Sequence, residues 1–194
     1  MLPKMPLDVD QTLSDDALMV MFANGDPSAA RELTSRHLST VLAFARRMMW
    51  SDAEAEDVAQ EAMMRLWKTA GAWRPGEAKV TTWLYRVTRN LCIDRLRQRQ
   101  TVGLDAVAEP LDETPSVQSM MEQSGRVNAL YDALNQLPER QRDAVVLRHI
   151  EGLGNPEIAE VLEISVDAVE SLTARGKRAL KALLVDKKME LGWS

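Results

Sequence analysis

Arginine and amide side chains recur at helical spacing in the segment WLYRVTRNLCIDRLRQR, residues 83–99. On a 3.6-residue helix one side is suited to packing and carries Leu84, Val87, Thr88 and Leu91. The opposite side is basic and carries Arg86, Arg89, Asn90, Ile93 and Arg97. Arginine can hold phosphate, an amide can contact a base edge, and an apolar group can lie against an unstacked base. This basic helix therefore predicts nucleic-acid binding, although arginines that serve only solubility are an alternative that the helix alone leaves open.

Composition limits where such binding can occur. The chain has 194 residues, 45% of them hydrophobic, which is enough for one large or two small domains. No run of useful length alternates with period two, so we predict an all-α fold. The formal net charge of −5 argues against a protein that coats nucleic acid by bulk electrostatics, and any DNA contact must come from local patches.

Cysteine content and hydropathy favour a cytoplasmic protein. Cys92 is the single cysteine, so the sequence contains no disulfide framework and no cysteine cluster for zinc. The longest wholly apolar run covers residues 17–23, which is too short to cross a bilayer. The N-terminus lacks a cationic start followed by a long apolar stretch, so we expect a soluble, uncleaved chain.

A change of composition divides the chain. Residues 101–125 contain five acidic residues, two prolines and no lysine or arginine, which is typical of a flexible linker. Fully extended, it would reach roughly 80 Å, so two modules could hold separate sites on one DNA. The predicted organisation is a tail (1–13), a first helical domain (14–100), the acidic linker (101–125), a second domain (126–186) and a C-terminal tail (187–194).

Two features of the first domain could contact partners. In the helix after Ser51, Asp57, Gln60 and Glu61 form a face that is either solvated or a docking surface for a basic partner. The loop at 71–82 holds Trp73, which either fills the core or helps to accommodate a flipped base beside the basic helix.

The second domain has the pattern of a four-helix module with a helix-turn-helix. Asn155 and Pro156 are expected to start a short helix, a turn follows at Glu163, and Ser165 caps a longer final helix. Such a pair can be merely structural, but basic residues follow the positions that enter the major groove. The cations that follow these positions are Arg175, Lys177, Arg178 and Lys181.

Three segments together resemble a bacterial sigma factor of the extracytoplasmic-function (ECF) type. They are DAEAEDVAQEAMMRLW, then WRPGEAKVTTWLYRVTRNLCIDRLRQR, then LNQLPERQRDAVVLRHIEGLGNPEIAEVLEISVDAVESLTARGKRAL. The resemblance covers nearly all of residues 14–184 in the family's order and spacing. It implies a first domain that binds core RNA polymerase and melts the minus-ten promoter element, and a second that contacts the minus-35 element as duplex.

The resemblance also implies roles for particular residues. Asp57, Gln60 and Glu61 look like part of a polymerase-docking face, and residues 73–82 look like the loop that captures a flipped non-template base. The expected minus-ten contacts are Trp73, Arg86, Arg89, Asn90, Ile93, Asp94 and Arg97. The expected minus-35 contacts are Ser165, Ser171, Arg175, Lys177 and Arg178. In the family a cognate anti-sigma factor commonly covers these surfaces, so the expected partners are polymerase, promoter DNA and an anti-sigma factor. The free chain is expected to be a monomer without cofactor or catalytic activity.

Two residues depart from the family pattern. Glu170 stands where many relatives carry a cation, and it could accept a hydrogen bond from cytosine N4 or repel DNA. Glu163 replaces the usual turn glycine.

Two other classes of protein are alternatives. A stand-alone helix-turn-helix regulator would bind duplex tightly without polymerase, usually as a dimer. A metal-dependent enzyme is disfavoured because His37 and His149 lie far apart and no metal-binding motif accompanies them.

Overall fold

The computed structural model describes residues 13–49, 51–102, 125 and 129–190. Within this part of the chain every regular element is helical, which confirms the all-α prediction. The elements are α1 (Asp15–Ala23), α2 (Pro27–Met48), α3 (Asp52–Thr69), a 3₁₀ turn (Ala70–Ala72), α4 (Val80–Val102), α5 (129–135), α6 (Glu139–His149), α7 (Asn155–Leu162) and α8 (Val166–Glu190).

The helices begin where side chains can accept the first free backbone N–H groups. Ser14 Oγ accepts from Ala17 N at 3.2 Å, and Asp26 Oδ1 accepts from Ser28 N at 2.8 Å. Ser165 Oγ likewise accepts from Ala168 N at 3.2 Å, as predicted for the start of α8. The predicted cap of α7 is wrong, because the helix starts one residue earlier and Asn155 is its first helical residue.

Several helix ends also differ from the sequence-based expectation. The basic helix starts at Val80 rather than residue 83, so two threonines assigned to the preceding loop are helical. It continues to Val102, and α8 reaches Glu190, so helix extends into the expected linker and the expected C-terminal tail. Residues 1–12, 103–124 and 191–194, which include most of that linker, lie outside the described residues.

The N-terminal unit, residues 13–102, is built around α2, which packs against α1, α3 and α4. Its largest fully buried side chains include Met19, Leu33, Phe44, Leu66 and Leu84. Two arginines of α4 also hold α3: Arg95 donates to the Glu54 carbonyl at 3.0 Å, and Arg99 pairs with the Glu54 carboxylate at 2.7 Å. These contacts fix the direction of α4 relative to α3.

The C-terminal unit, residues 129–190, is built around α6, α7 and α8. Val146, Ile158 and Val169 are fully buried between these helices. The apolar core continues from this unit into the N-terminal one, and α7 packs on α4. Two helical units therefore share one interface in this structure. None of the described helices combines the length and hydropathy needed to cross a membrane.

Candidate nucleic-acid interface

The basic side of α4 faces the C-terminal unit. Arg89 Nε donates to Asp143 Oδ2 of α6 at 2.6 Å, and Arg89 Nη2 lies 3.5 Å from Glu139 Oε1. One turn earlier, Arg86 Nη1 lies 3.8 Å from Glu163 Oε1 in the turn after α7. Two arginines expected to contact a promoter strand are thus paired with carboxylates of the same chain.

The rest of this side of α4 lines a cleft of about 360 Å³ against the start of α6. The residues around the cleft are Arg89, Asn90, Ile93, Asp94, Arg97, Glu139 and Arg140. The expected minus-ten residues of α4 from Arg89 onward therefore share one surface. Asn90, Asp94 and Arg97 are exposed, but Ile93 is only 5% exposed. In this arrangement Ile93 is therefore not accessible to a base, and its role as a minus-ten contact stays a prediction.

Burial changes the proton affinity of two groups at the interface. Burial raises the pKa of the Asp143 carboxyl, while the nearby guanidinium groups of Arg89 and Arg142 lower it. Burial also raises the pKa of Tyr85, and the neighbouring Glu151 carboxylate raises it further. Tyr85 therefore stays a neutral donor, and its hydroxyl donates to Glu151 Oε2 at 2.9 Å.

The loop before α4 is held by the first helix. The Trp73 indole N–H donates to Asp16 Oδ1 at 2.8 Å, and the Gly76 N–H donates to Asp16 Oδ2 at 3.0 Å. Trp73 also packs edge-on against Trp83, with ring centroids 6.4 Å apart. The tryptophan predicted to accompany a flipped base is thus partly buried and fixed in orientation beside α4.

The predicted docking face on α3 is exposed. Asp57 and Gln60 are exposed, and Glu61 pairs with Arg65 at 2.9 Å, a hydrogen bond that lowers the pKa of Glu61. Glu54, which the helical period places beside Asp57 and Glu61, instead faces α4, where its carboxylate and carbonyl hold two arginines. The acidic face is therefore narrower than its sequence spacing indicates.

An apolar groove next to this face was missed from the sequence. It lies between α2 and α3, and its apolar lining includes Leu38, Leu42, Met63, Met64 and Trp67. Leu38 is 38% exposed and Met64 is 42% exposed, which is unusual for large apolar side chains. A signal was present for Met64, which does not fit the inward-facing stripe of α3, but Leu38 lies at helical spacing from Leu42 and looks like a core residue in the sequence.

The helix-turn-helix is formed by α7 and α8. All five predicted contact residues of this unit, Ser165, Ser171, Arg175, Lys177 and Arg178, are exposed on α8 or at its start. Glu163 ends α7 in the left-handed region, at φ 54° and ψ 49°, where a glycine would be unstrained. Glu170 Oε1 accepts a hydrogen bond from Asn155 Nδ2 at 3.3 Å. Asn155 of α7 thus orients the carboxylate that is expected to stand where many relatives carry a Lys or Arg side chain.

The histidines have structural surroundings. His37 is buried, and its Nε2 lies 2.7 Å from Asp15 Oδ2, which joins α2 to α1. His149 is exposed in the last turn of α6. Within the described residues no three His, Cys, Asp or Glu side chains come together as a group that could hold a metal ion.

Two family models match the chain. "Sigma-70 region 2" matches residues 33–102, which contain the groove, the loop and α4. "Sigma-70, region 4" matches residues 128–180, which contain the helix-turn-helix. Both models thus fall on the two helical units, in the order that the sequence resemblance predicted.

Curated relatives extend the match over most of the chain. The ECF RNA polymerase sigma factor SigE of Mycolicibacterium smegmatis is 34% identical over 182 residues, with 90% of this chain and 70% of that protein covered. The ECF RNA polymerase sigma factor SigM of Mycobacterium tuberculosis is 32% identical, with 88% and 85% covered. The chain belongs to the ECF family of RNA polymerase sigma factors. Sigma factors are not catalytic enzymes.

Solved structures share the fold. CnrH in complex with the cytosolic domain of CnrY has a TM-score of 0.69 and 26% identity, and the match covers 89% of this chain and 97% of CnrH. The sigma factor RpoE of Bartonella quintana, in complex with the anti-sigma factor NepR, has a TM-score of 0.63 and 22% identity, with 79% and 95% covered. The prediction of two small helical domains is thereby confirmed.

Proposed function

We propose that this chain is a dissociable RNA polymerase subunit of the cytoplasm that directs initiation at a subset of promoters. The N-terminal unit binds core polymerase and the melted minus-ten strand, and the C-terminal unit binds the minus-35 duplex. The observation that carries this proposal is the pairing of a basic helix, α4, with an exposed helix-turn-helix in one chain of the ECF family.

The minus-ten role rests on the chemistry of α4. Asn90, Asp94 and Arg97 are exposed together on one surface, and Arg86 and Arg89 join them once their carboxylate partners move away. Amide and guanidinium groups bind base edges and phosphates, and the tryptophan-containing loop lies just before the helix. The expected contacts Trp73, Arg86, Arg89, Asn90, Ile93, Asp94 and Arg97 therefore stay our proposal for the minus-ten surface.

The docking role rests on the surface of α3. The amide of Gln60 lines an apolar groove that also contains Leu38 and Met64, and the exposed Asp57 lies three residues before Gln60 on the same helix. An apolar groove with a polar rim is typical of a protein-binding surface. We assign this combined surface to core polymerase. An anti-sigma factor that covered this surface would block polymerase binding directly.

A transcription assay tests the proposal. Core polymerase supplemented with the purified chain should produce transcripts with defined 5′ ends from genomic DNA, and core polymerase alone should not. Without polymerase, the chain should bind duplex promoter DNA poorly, because its net charge is −5 and its cationic patches are small. The alternative is a stand-alone regulator, which family membership does not favour. It would be supported if adding the chain left transcription unchanged and the chain alone bound duplex DNA with nanomolar affinity.

A further inference from the structure

We propose that Glu170 sets the preference for one base of the minus-35 duplex. Its carboxylate accepts a hydrogen bond from the N4 amino group of a cytosine in the major groove, and Asn155 is the positioning residue that orients this carboxylate. The inference rests on the proposed function of the C-terminal unit and deepens it, because it names both the base and the residue that contacts it.

Charge divides α8 into two halves. Residues 166–174 contain Asp167 and Glu170 but no lysine or arginine. Residues 175–184 contain no acidic residue, and their four cations are Arg175, Lys177, Arg178 and Lys181. In a helix-turn-helix the first residues of the second helix contact base edges, whereas cations are suited to phosphates. The half of α8 that is expected to meet the bases is therefore acidic.

Glu170 lies on the outward face of α8. Val169 and Gly176 are buried on the inner side of this helix. The exposed residues on the opposite side recur at helical spacing, and they are Asp167, Glu170, Ser171, Ala174, Arg175 and Arg178. Ala174 follows Glu170 by one turn and is small, so it does not hold the carboxylate away from a base edge. Glu170 can thus enter a groove together with the neighbouring Ser171.

Asn155 orients the Glu170 carboxylate without neutralising it. Asn155 is the first helical residue of α7, and its Nδ2 donates to Glu170 Oε1 at 3.3 Å. Within the described part of the chain Glu170 has no ion-pair partner, so no neighbouring cation compensates its charge. The amide engages one carboxylate oxygen, and the other, Oε2, can accept a hydrogen bond from a base.

A purely structural role explains this carboxylate less well. Acidic side chains stabilise a helix from its first turn, and Asp167 already occupies that turn of α8. Glu170 is the fifth residue of the helix and lies beyond the turn. Its hydrogen bond to Asn155 is exposed to water, where such a bond adds little to stability.

Cytosine is the base that best suits a carboxylate. In the major groove cytosine presents its N4 amino group as a donor, whereas guanine presents only acceptors and thymine presents an acceptor and a methyl group. Adenine also has a donor at N6, but its N7 acceptor lies beside that donor and repels a carboxylate oxygen. A phosphate would repel Glu170 as well, because both groups are negative. Cytosine N4 is therefore the partner that the chemistry of Glu170 favours.

A promoter library tests this assignment with the complete holoenzyme. The parent is one promoter identified by transcript sequencing, its minus-35 element is randomised, and each transcript carries a barcode. With the wild-type chain, core polymerase should make at least about fivefold more transcript when one minus-35 position holds cytosine than when it holds another base. Glu170→Gln should change the preference at that position to adenine, because a glutamine amide binds adenine N6 and N7, and Glu170→Arg should change it to guanine.

Two further variants separate base contact from structure. Glu160→Gln makes the same charge change at an exposed position of α7, outside the outward face of α8, and should leave every base preference as in wild type. Asn155→Ala should weaken the preference for cytosine at the same position without changing the preferred base. A loss of stability would instead lower transcription from all promoters alike. Circular dichroism of each variant checks that its helices are retained.

Each outcome decides a separate claim. If Glu170→Gln raised transcription equally from every library member, the carboxylate would only repel DNA, and the assignment would be overturned. Unchanged base preferences in folded Glu170→Gln would show that Glu170 is solvated surface, which overturns it too. Failure of the proposed function would look different, because core polymerase with the wild-type chain would then make no transcript that polymerase alone does not make, and the assignment would fall with it.

Discussion

Arg89 of α4 and Asp143 of α6 form an ion pair across the two helical units, with 2.6 Å between Nε and Oδ2. Asp143 is fully buried, so its charge depends on arginine partners, one of which is expected to contact promoter DNA. The same guanidinium thus stabilises a packed chain in one state and can hold a phosphate in another. This relationship makes the minus-ten surface of α4 sensitive to substitutions in the C-terminal unit.

Asn90→Ala is expected to weaken promoter opening and leave polymerase binding intact, since the Asn90 amide is exposed in the cleft of α4. Loss of one base contact should cost about 1–3 kcal/mol. Permanganate footprinting of the melted region measures opening, and a pull-down with core polymerase measures docking. Ser35→Ala, at an exposed position of α2 outside the proposed DNA contacts, is the control. A weaker pull-down with Asn90→Ala would contradict the assignment of Asn90 to DNA.

Asp57→Arg is expected to reduce binding to core polymerase at least about tenfold, since it places a like charge where a basic partner is expected to dock. Biolayer interferometry with immobilised core polymerase measures the affinity. Glu77→Arg makes the same charge change at an exposed position of the loop before α4, away from the groove, and should bind normally. Equal affinity for both variants would mean that Asp57 is only solvated surface.

Gly176→Ala is expected to destabilise the C-terminal unit. A Cβ at this position would lie 2.7 Å from Val145 Cγ2 and 2.9 Å from the Gln141 carbonyl oxygen, so α8 would have to move away from α6. Overpacking of this kind costs about 1–3 kcal/mol, partly offset by the better helix propensity of alanine, about 1 kcal/mol. Urea unfolding followed by circular dichroism measures the change. Gly71→Ala meets no atom within 4 Å, so a larger loss there than at Gly176 would refute the packing explanation.

Cys92 is expected to be chemically inert in the folded chain. Its side chain is fully buried in α4, and burial raises the pKa of the thiol to about 12. Below the pKa, the thiolate fraction falls about tenfold for each pH unit. The reactive thiolate is therefore scarce at pH 8 and becomes appreciable only near pH 12. Reaction with Ellman's reagent at pH 8 should be at least about a hundredfold slower in buffer than in urea. Similar rates in both would place Cys92 at the surface.

The sequence predicted local features better than contacts between distant segments. Ser165 was predicted to start a helix because its side chain can act on a backbone group three residues away, and Ser14 and Asp26 are found to act in the same way. The side of α4 that was predicted to pack carries Leu84, Thr88 and Leu91, and all three are buried. Each of these signals is contained in a few neighbouring residues.

The burial of the basic helix could not be predicted in the same way. Helical periodicity correctly grouped Ile93 with Asn90, but it cannot say what covers the face they share. Asp143 looks like an ordinary surface residue of α6 until the fold brings Arg89 to it from 54 positions away. Contacts between residues so far apart in the sequence depend on how the two units pack. The family resemblance assigned roles to residues but did not predict that packing.

Asp16 binds both the indole of Trp73 and the backbone of Gly76, although it lies in α1 and touches no proposed DNA contact of α4. The geometry of the loop proposed to capture a flipped base is thus set partly by the first helix of the chain. A substitution at Asp16 can accordingly change how the loop presents Trp73 while every residue of α4 stays the same.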